Sequence, residues 1–262
     1  MRYSGALDGA TEVLQSGWRV ERFASLGSTN DEARRLALAG DPGRLWIIAH
    51  EQTQGRGRRG RAWTSPPGNL YASALLIDPS PTAIAAQIGF VAGVALRRAL
   101  GDLGASDELR LKWPNDLVWR GGKLAGLLVE GVALSDGRLA CIVGIGVNCA
   151  SAPAGLAYPT ADLSKALGRP VDPEDLFAHL APRFDETLTL WRRGADFAAI
   201  RAQWLGHAAG LGSSIRIGGA QGFRQGIFET LDEQGRLVLR GASGLETIEA
   251  GDLFLIRESA GD

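Results

Sequence analysis

Only two cysteines and three histidines occur among the 262 residues, and each scarcity excludes some chemistry. Cys141 and Cys149 fall in or just beyond one expected strand, where a rise of ~3.3 Å per residue sets them too far apart for a disulfide. His50, His179 and His207 are scattered, without the spacing of a zinc site. No serine–histidine–acid set is legible, and no cysteine is patterned with a histidine. A large charge of one sign is also missing: the formal net charge is -1, so the surface as a whole is not built to coat nucleic acid or an anionic membrane. Any positive site must be local. The first 25 residues carry Asp8, Glu12 and Glu21 and no apolar core, unlike a signal peptide. No stretch reads as the ~20 apolar residues of a membrane span, and there is no internal repeat. Without a disulfide framework or an export signal, the expected compartment is the cytoplasm.

The residues present are those of an ordinary globular chain, 45% hydrophobic and 22% charged, long enough for one large core and a small second domain. The run Ser28-Thr29-Asn30-Asp31-Glu32 predicts a helix start in which Thr29 caps with Glu32, and Gly40 with Pro42 ends that helix. Residues 45–50 and 70–77 read as strands, and residues 83–103 as an apolar core helix. A meander follows, with strands over 109–119, 123–134 and 138–147 joined by the turns Arg120-Gly121-Gly122 and Ser135-Asp136-Gly137. Residues 173–193 and 195–205 read as helices. A small-residue linker, 206–212, then marks a boundary between domains over 1–208 and 209–262. Beyond it, short strands at 214–217, 222–231, 237–240, 245–249 and 253–256 suggest a small barrel.

Four segments carry chemistry. In the first, Gly55-Arg56-Gly57-Arg58-Arg59-Gly60-Arg61, four arginines within seven residues repel one another unless anions bind. Its glycines let backbone N–H groups approach a phosphate, guanidinium forks add bidentate contacts, and Trp63 offers a flat face. No Gly-Lys-Ser/Thr follows, so this is not a Walker A loop, and without a ligand it should be mobile; an exposed arginine-rich loop touching nucleic acid or nothing fits the composition equally well. The second, Lys112-Trp113-Pro114-Asn115-Asp116, is a strand whose Pro114 implies an edge or a bulge. Asp116 suits a magnesium ion or a lysine partner; Asn115 suits a ligand or a turn. In the third, Lys123 follows the Gly-Gly turn and can reach back towards Asp116, while Gly126 marks a close approach within a strand. The fourth, Gly144-Ile145-Gly146-Val147-Asn148, leaves room in the same way, although the local pattern favours close sheet packing followed by a turn. No legible nucleophile is needed by an enzyme that activates an acid with ATP and passes the acyl group to a partner's amine, since orientation and charge stabilisation carry such chemistry.

Taken together, Ser28-Thr29-Asn30, Gln52, the arginine–glycine run to Trp63, Gly68-Asn69-Leu70, Lys112 to Leu117, Lys123 to Glu130 and Gly144 to Asn148 closely resemble the biotin–protein ligase family. The resemblance spans roughly residues 20–150. It implies an α+β fold: a central domain like that of class II aminoacyl-tRNA synthetases, with a mixed or antiparallel sheet and helices, plus a C-terminal SH3-like β-barrel. It also implies that biotin and MgATP form biotinyl-5′-AMP, and that a lysine of a biotin carboxyl carrier protein then attacks the anhydride. Lys123, Asp116 and Arg56 are the implied catalytic group, with Mg2+ near Asp116. Ser28, Thr29, Asn30, Gln52, Gly55, Gly57, Arg58, Arg61, Trp63, Lys112, Asn115, Gly126 and Asn148 would line the biotin and adenylate pocket, with Arg257 a further phosphate contact. Some relatives carry an N-terminal DNA-binding domain; Ser28-Thr29-Asn30 comes too early for one to fit, so the expectation is a monofunctional ligase binding neither DNA nor membrane, with a homodimer open. The competing readings are a lipoate–protein ligase or octanoyltransferase, against which the arginine–glycine run speaks, and an RNA-binding module, which calls for a basic chain.

Overall fold

The computed structural model describes residues 11–219, 222–249 and 251–255. Eight strands form one mixed sheet: β1 (Glu12–Val13), β2 (Arg19–Leu26), β3 (Leu45–Gln52), β4 (Leu70–Ile77), β5 (Leu109–Lys112), β6 (Asp116–Trp119), β7 (Gly122–Ala133) and β8 (Leu139–Val147), in the order β1-β2-β3-β4-β8-β7-β6-β5. Only β2 and β3 pair in parallel, across the connecting helix α1 (Thr29–Leu38), as a crossover requires. The chain is an α+β protein.

Alternation along the central strands builds a core on each face. Trp46 and Ile48 of β3, Leu70, Ala72, Ala74 and Leu76 of β4, and Val143 and Ile145 of β8 point to the face covered by α2 (Ile88–Asp102), α4 (Pro173–Trp191) and α5 (Phe197–Gly206). Leu45, Ile47, Leu75 and Ile142 point to the other face, where Ala33 and Ala37 of α1 cover them. Because α1 is short, it covers only one end of this face. At the uncovered end the inward row changes from apolar to Ser73 on β4, Gly144 and Gly146 on β8, and Gly126 on β7. This change of residue type is what makes the sheet a floor for a site.

Several expectations are corrected. Residues 109–119 are two strands, because the chain reverses at Trp113-Pro114-Asn115, where the Trp113–Pro114 peptide is cis, and Lys112 pairs with Asp116. Pro114 therefore lies in a turn rather than at a strand edge or bulge. Residues 82–102 do reach membrane-spanning length and hydropathy, yet 67% of that window is buried within the chain, and it serves as the core helix. Its first turn, Thr82–Gln87, is a 3-10 segment preceding α2. Thr29 is not the cap of α1: Ser28 is, without a side-chain cap bond, because the Thr29 hydroxyl turns to the sheet. The strands β1 and β2 and the short helix α3 (Leu163–Leu167) carry too little periodicity to have been read from the sequence.

A second sheet contains β9 (Ser214–Gly219), β10 (Gly222–Leu231), β11 (Leu237–Gly241), β12 (Gly244–Ile248) and β13 (Asp252–Leu255). It is antiparallel throughout, in the order β12-β11-β10-β9-β13, with β12 and β13 at its edges among the described residues. Trp113 donates its indole N–H to the carbonyl of Gly235 (3.2 Å), tying the two sheets together at the turn that also carries Asn115. Cys141 and Cys149 are free and buried, as the strand spacing required.

Candidate active site

A cavity of about 1010 Å³ opens over the uncovered end of the sheet. Its walls come from the N-terminus of α1, the arginine loop, the β5–β6 turn, the start of β7 and the edge strand β13. Ser28, Thr29, Asn30, Gln52, Arg56, Gly57, Arg58, Arg61, Trp63, Lys112, Asn115, Asp116, Lys123 and Gly126 all line it, so residues dispersed over almost a hundred positions meet in one place. Two expected site residues do not. Gly55 sits behind the loop, where a side chain would strike the Trp63 carbonyl and the Ser65 hydroxyl. Asn148 faces away and donates to the carbonyls of Ala161 (3.1 Å) and Lys123 (3.4 Å), a structural tie. Arg257 lies outside the described residues.

The loop's positive charge is largely met from within the chain. Arg56 pairs with Asp31 (2.6 Å) and Glu130 (3.0 Å), and these carboxylates, Asp31's hydrogen bond foremost, hold its guanidinium above its usual pKa despite partial burial. Arg59 (3.2 Å) and Arg61 both pair with Asp252 of β13. Backbone bonds from Gly57 to Arg61 (2.7 Å) and from Trp63 to Gly55 (2.9 Å) close the loop on itself. The expectation that only bound anions could relieve the repulsion is thus corrected: three carboxylates from α1, β7 and β13 relieve most of it.

Two cations stand apart. Arg58 donates to Asn115 (3.1 Å) and the Gly251 carbonyl (3.5 Å), both neutral, and desolvation lowers its pKa. Lys112 on β5 is likewise lowered, chiefly by burial. Neither forms an ion pair among the described residues, so both keep a charge for an incoming anion. Asn115 is held rigid by its own donation to the Leu127 carbonyl (2.7 Å), which fixes where Arg58 points.

Lys123 does reach Asp116, at 2.7 Å, with the two side chains 21% and 17% exposed. The Asp116 oxygen concerned has no well-aligned hydrogen bond, so the contact is a charge pair alone. The Lys123 ammonium also lies 5.4 Å from the Trp63 ring and 5.9 Å from that of Tyr158, favourable positions for a cation. Trp63 lies flat on the sheet because Gly126 and Gly146 carry no side chain: a methyl group would approach its ring to 3.1 and 2.8 Å. Its indole N–H is buried and without a partner among the described residues.

Beneath α1, a polar cluster replaces the apolar core. Gln52 accepts from the Thr29 backbone N–H (2.9 Å) and lies 3.1 Å from the Thr29 hydroxyl, Asn30 donates to Glu130 (2.7 Å), and the buried Ser73 hydroxyl joins Thr29 (2.7 Å) and Asn30 (2.6 Å). Ser73 was missed from the sequence although it left a signal, the single serine in the apolar strand Leu70–Ile77. Asp31, Glu130 and Asp252 were missed as partners because nothing local links them to the loop.

A walled cavity with spare half-buried cations, a lysine–aspartate pair and a polar floor defines an enzyme that binds an anionic ligand. Residues 23–148 match the biotin/lipoate A/B protein ligase family, and residues 210–255 match the biotin protein ligase C-terminal domain. The chain is 44% identical over 244 residues to the biotin–[acetyl-CoA-carboxylase] ligase of Paracoccus denitrificans, covering 88% of this chain and 98% of that protein. It is 30% identical over 250 residues to the bifunctional ligase/repressor BirA of Bacillus subtilis, covering 94% and 76%. Biotin protein ligase from Aquifex aeolicus, solved in complex with biotin and ATP, superposes with a TM-score of 0.77 at 28% identity, over 91% of this chain and 99% of that one. The chain belongs to the biotin protein ligase family.

Proposed function

We propose that this chain is an ATP-dependent ligase that forms biotinyl-5′-AMP and pyrophosphate from biotin and ATP, then transfers biotin to a lysine of a biotin carboxyl carrier protein. The observation that carries this reading is the pair Arg58 and Lys112, half-buried cations without ion-pair partners among the described residues, set around a cavity whose far end is neutral and polar. Such a cavity suits a ligand that is anionic at one end and uncharged at the other. Its charged end fits a nucleotide phosphate; its polar floor beneath Thr29 and Gln52 fits a neutral ring with hydrogen-bonding groups. The C-terminal match separates this reading from a lipoate ligase.

In this reading Lys123 holds the biotin carboxylate against the α-phosphorus and stabilises charge on the phosphate as pyrophosphate leaves. Asp116 holds the ammonium in place. Arg58 and Lys112 bind the phosphates, and Trp63 walls the cavity between ring and nucleotide. The carrier's lysine amine then attacks the acyl carbon and AMP departs. Magnesium enters with ATP as its counter-ion: the near Asp116 oxygen is taken by Lys123, and no cluster of three metal-binding side chains occurs among the described residues. The cytoplasm, where carrier and ATP meet, fits this assignment.

The test supplies ATP with biotin, lipoate or octanoate separately and follows pyrophosphate. Release with biotin is expected. Release with lipoate and none with biotin would overturn the assignment.

A further inference from the structure

The polar cluster under α1 contains fewer hydroxyl protons than short oxygen–oxygen contacts, and that shortage has a direction. Its two ends are fixed. Glu130 is a carboxylate and only accepts, so the Asn30 group facing it at 2.7 Å is the NH2, and the Asn30 carbonyl oxygen faces Ser73. At the other end the Gln52 amide donates to Ser65 (3.0 Å), whose own proton goes to the Trp63 carbonyl (3.0 Å); the Gln52 oxygen therefore faces Thr29. Between these two acceptors stand two hydroxyls and three contacts: Asn30 to Ser73 at 2.6 Å, Ser73 to Thr29 at 2.7 Å, and Thr29 to Gln52 at 3.1 Å. Two protons serve two contacts. The shortest take them, so Ser73 donates to Asn30 and Thr29 donates to Ser73, leaving the 3.1 Å contact without a proton. Gln52 keeps its bond from the Thr29 backbone N–H (2.9 Å), so nothing there is orphaned.

The consequence is a polarity. Thr29 and Gln52 both line the cavity, and with the protons drawn away towards Glu130 they turn lone pairs to the ligand. Glu130 itself does not line the cavity. It stands one step further along the row Gly126-Leu128-Glu130, which shares a face of β7. Gly144, the cross-strand partner of Ser73, admits the Asn30 amide that links the two, since a side chain there would collide with it.

We infer that Glu130, acting through Asn30 and Ser73, fixes the pocket floor as a hydrogen-bond acceptor and so selects a ligand head group that offers N–H donors. This rests on the ligase reading and deepens it. Biotin's cyclic urea carries two N–H groups, and lipoate's dithiolane carries none. Glu130 and Ser73 are positioning residues: Ser73 reaches the ligand through Thr29, and Glu130 through Asn30 and that same chain while also holding Arg56.

The experiment measures pyrophosphate release against biotin, dethiobiotin (the same urea without the second ring) and ATP for wild type, Ser73→Ala, Glu130→Gln and Glu130→Asp. Ser73→Ala frees the Thr29 proton to turn to Gln52 and leaves Arg56 untouched. It is expected to raise KM for biotin and dethiobiotin at least tenfold with kcat and the KM for ATP within about threefold of wild type. Glu130→Gln, which lets the Asn30 amide reverse, should raise the same two KM values, and Glu130→Asp should restore part of the loss. Should Ser73→Ala fail to fold, the Glu130 pair decides alone. A folded Ser73→Ala with unchanged biotin KM overturns the inference, as does a folded Glu130→Gln whose KM values for biotin and dethiobiotin stay at wild type. Wild-type protein that consumes no ATP with biotin would sink the ligase reading, a result distinct from either.

Discussion

Replacing Lys123 by alanine should damage both the chemistry and the fold, and the two losses can be separated. The sequence placed Lys123 directly after the Gly-Gly turn, within reach of Asp116. In the structure it is the second residue of β7, paired with Asp116 at 2.7 Å, and most of both side chains is covered. Breaking a fully buried pair costs about 3–5 kcal/mol and an exposed one at most about 1 kcal/mol, because the partner left behind loses its compensation in proportion to its desolvation. At 21% and 17% exposure an intermediate loss of about 2 kcal/mol follows, or about 4–8 °C in Tm for a chain of this size. Adenylate formation should fall by about 10²–10³, the cost of removing one donor aimed at developing charge. In the double variant Lys123→Ala/Asp116→Asn the stranded carboxylate becomes a neutral amide. Stability should then return to within about 1 kcal/mol of wild type, while activity stays low. Urea melts and pyrophosphate release read the two quantities independently. Wild-type turnover in Lys123→Ala would remove the lysine from the mechanism; a double variant as unstable as the single one would refute the charge argument.

Three other outcomes follow from particular contacts. Asp252→Asn deprives Arg59 and Arg61 of their shared carboxylate, so trypsin should cut the loop several-fold faster than in wild type; equal rates in a timed digest would show that β13 does not hold it. Gly146→Ala places a methyl group 2.8 Å from the Trp63 ring and must displace it; acrylamide quenching of tryptophan should rise and biotin KM increase, at about 1–3 kcal/mol of stability, and unchanged quenching would contradict the packing. Burial pushes the Cys141 thiol up to about 11 and the Cys149 thiol up to about 12 from an ordinary 9.0. The folded state therefore keeps protons that the unfolded chain releases. Stability from this source is complete below pH 9.0 and falls as pH rises towards 11 and 12, by about 1.4 kcal/mol per pH unit per thiol. A pH series of urea melts on wild type and the Cys141→Ala/Cys149→Ala variant checks it, and identical slopes above pH 9.0 would refute it.

Where local pattern dictates local structure, the sequence was readable. Alternating and continuous apolar runs marked β3, β4, β7 and β8, and apolar residues at helical spacing over 83–103 marked α2. The strand glycines announced a close approach, which proved to be Trp63 over Gly126 and Gly146 and Asn30 over Gly144. Ser73 was equally readable in principle, as the lone serine in an apolar strand. The reversal at Trp113-Pro114-Asn115 was not, because Leu109–Lys112 and Asp116–Trp119 are both strand-like and a three-residue turn between them leaves little mark.

By itself, the sequence determined which side chains are available: four loop arginines, a lysine directly after the Gly-Gly turn that follows Lys-Trp-Pro-Asn-Asp-Leu-Val-Trp, and a set of small and polar residues that suits an acid and a nucleotide. Only the tertiary structure decided which charges remain for a ligand. Arg56, Arg59 and Arg61 are spent on Asp31, Glu130 and Asp252, the last of them 191 positions from Arg61, whereas Arg58 and Lys112 are not. Charge compensation acts through space and depends on burial, and neither can be read along the chain. The same holds for the floor of the pocket, where a carboxylate outside the cavity sets the direction of hydrogen bonds within it.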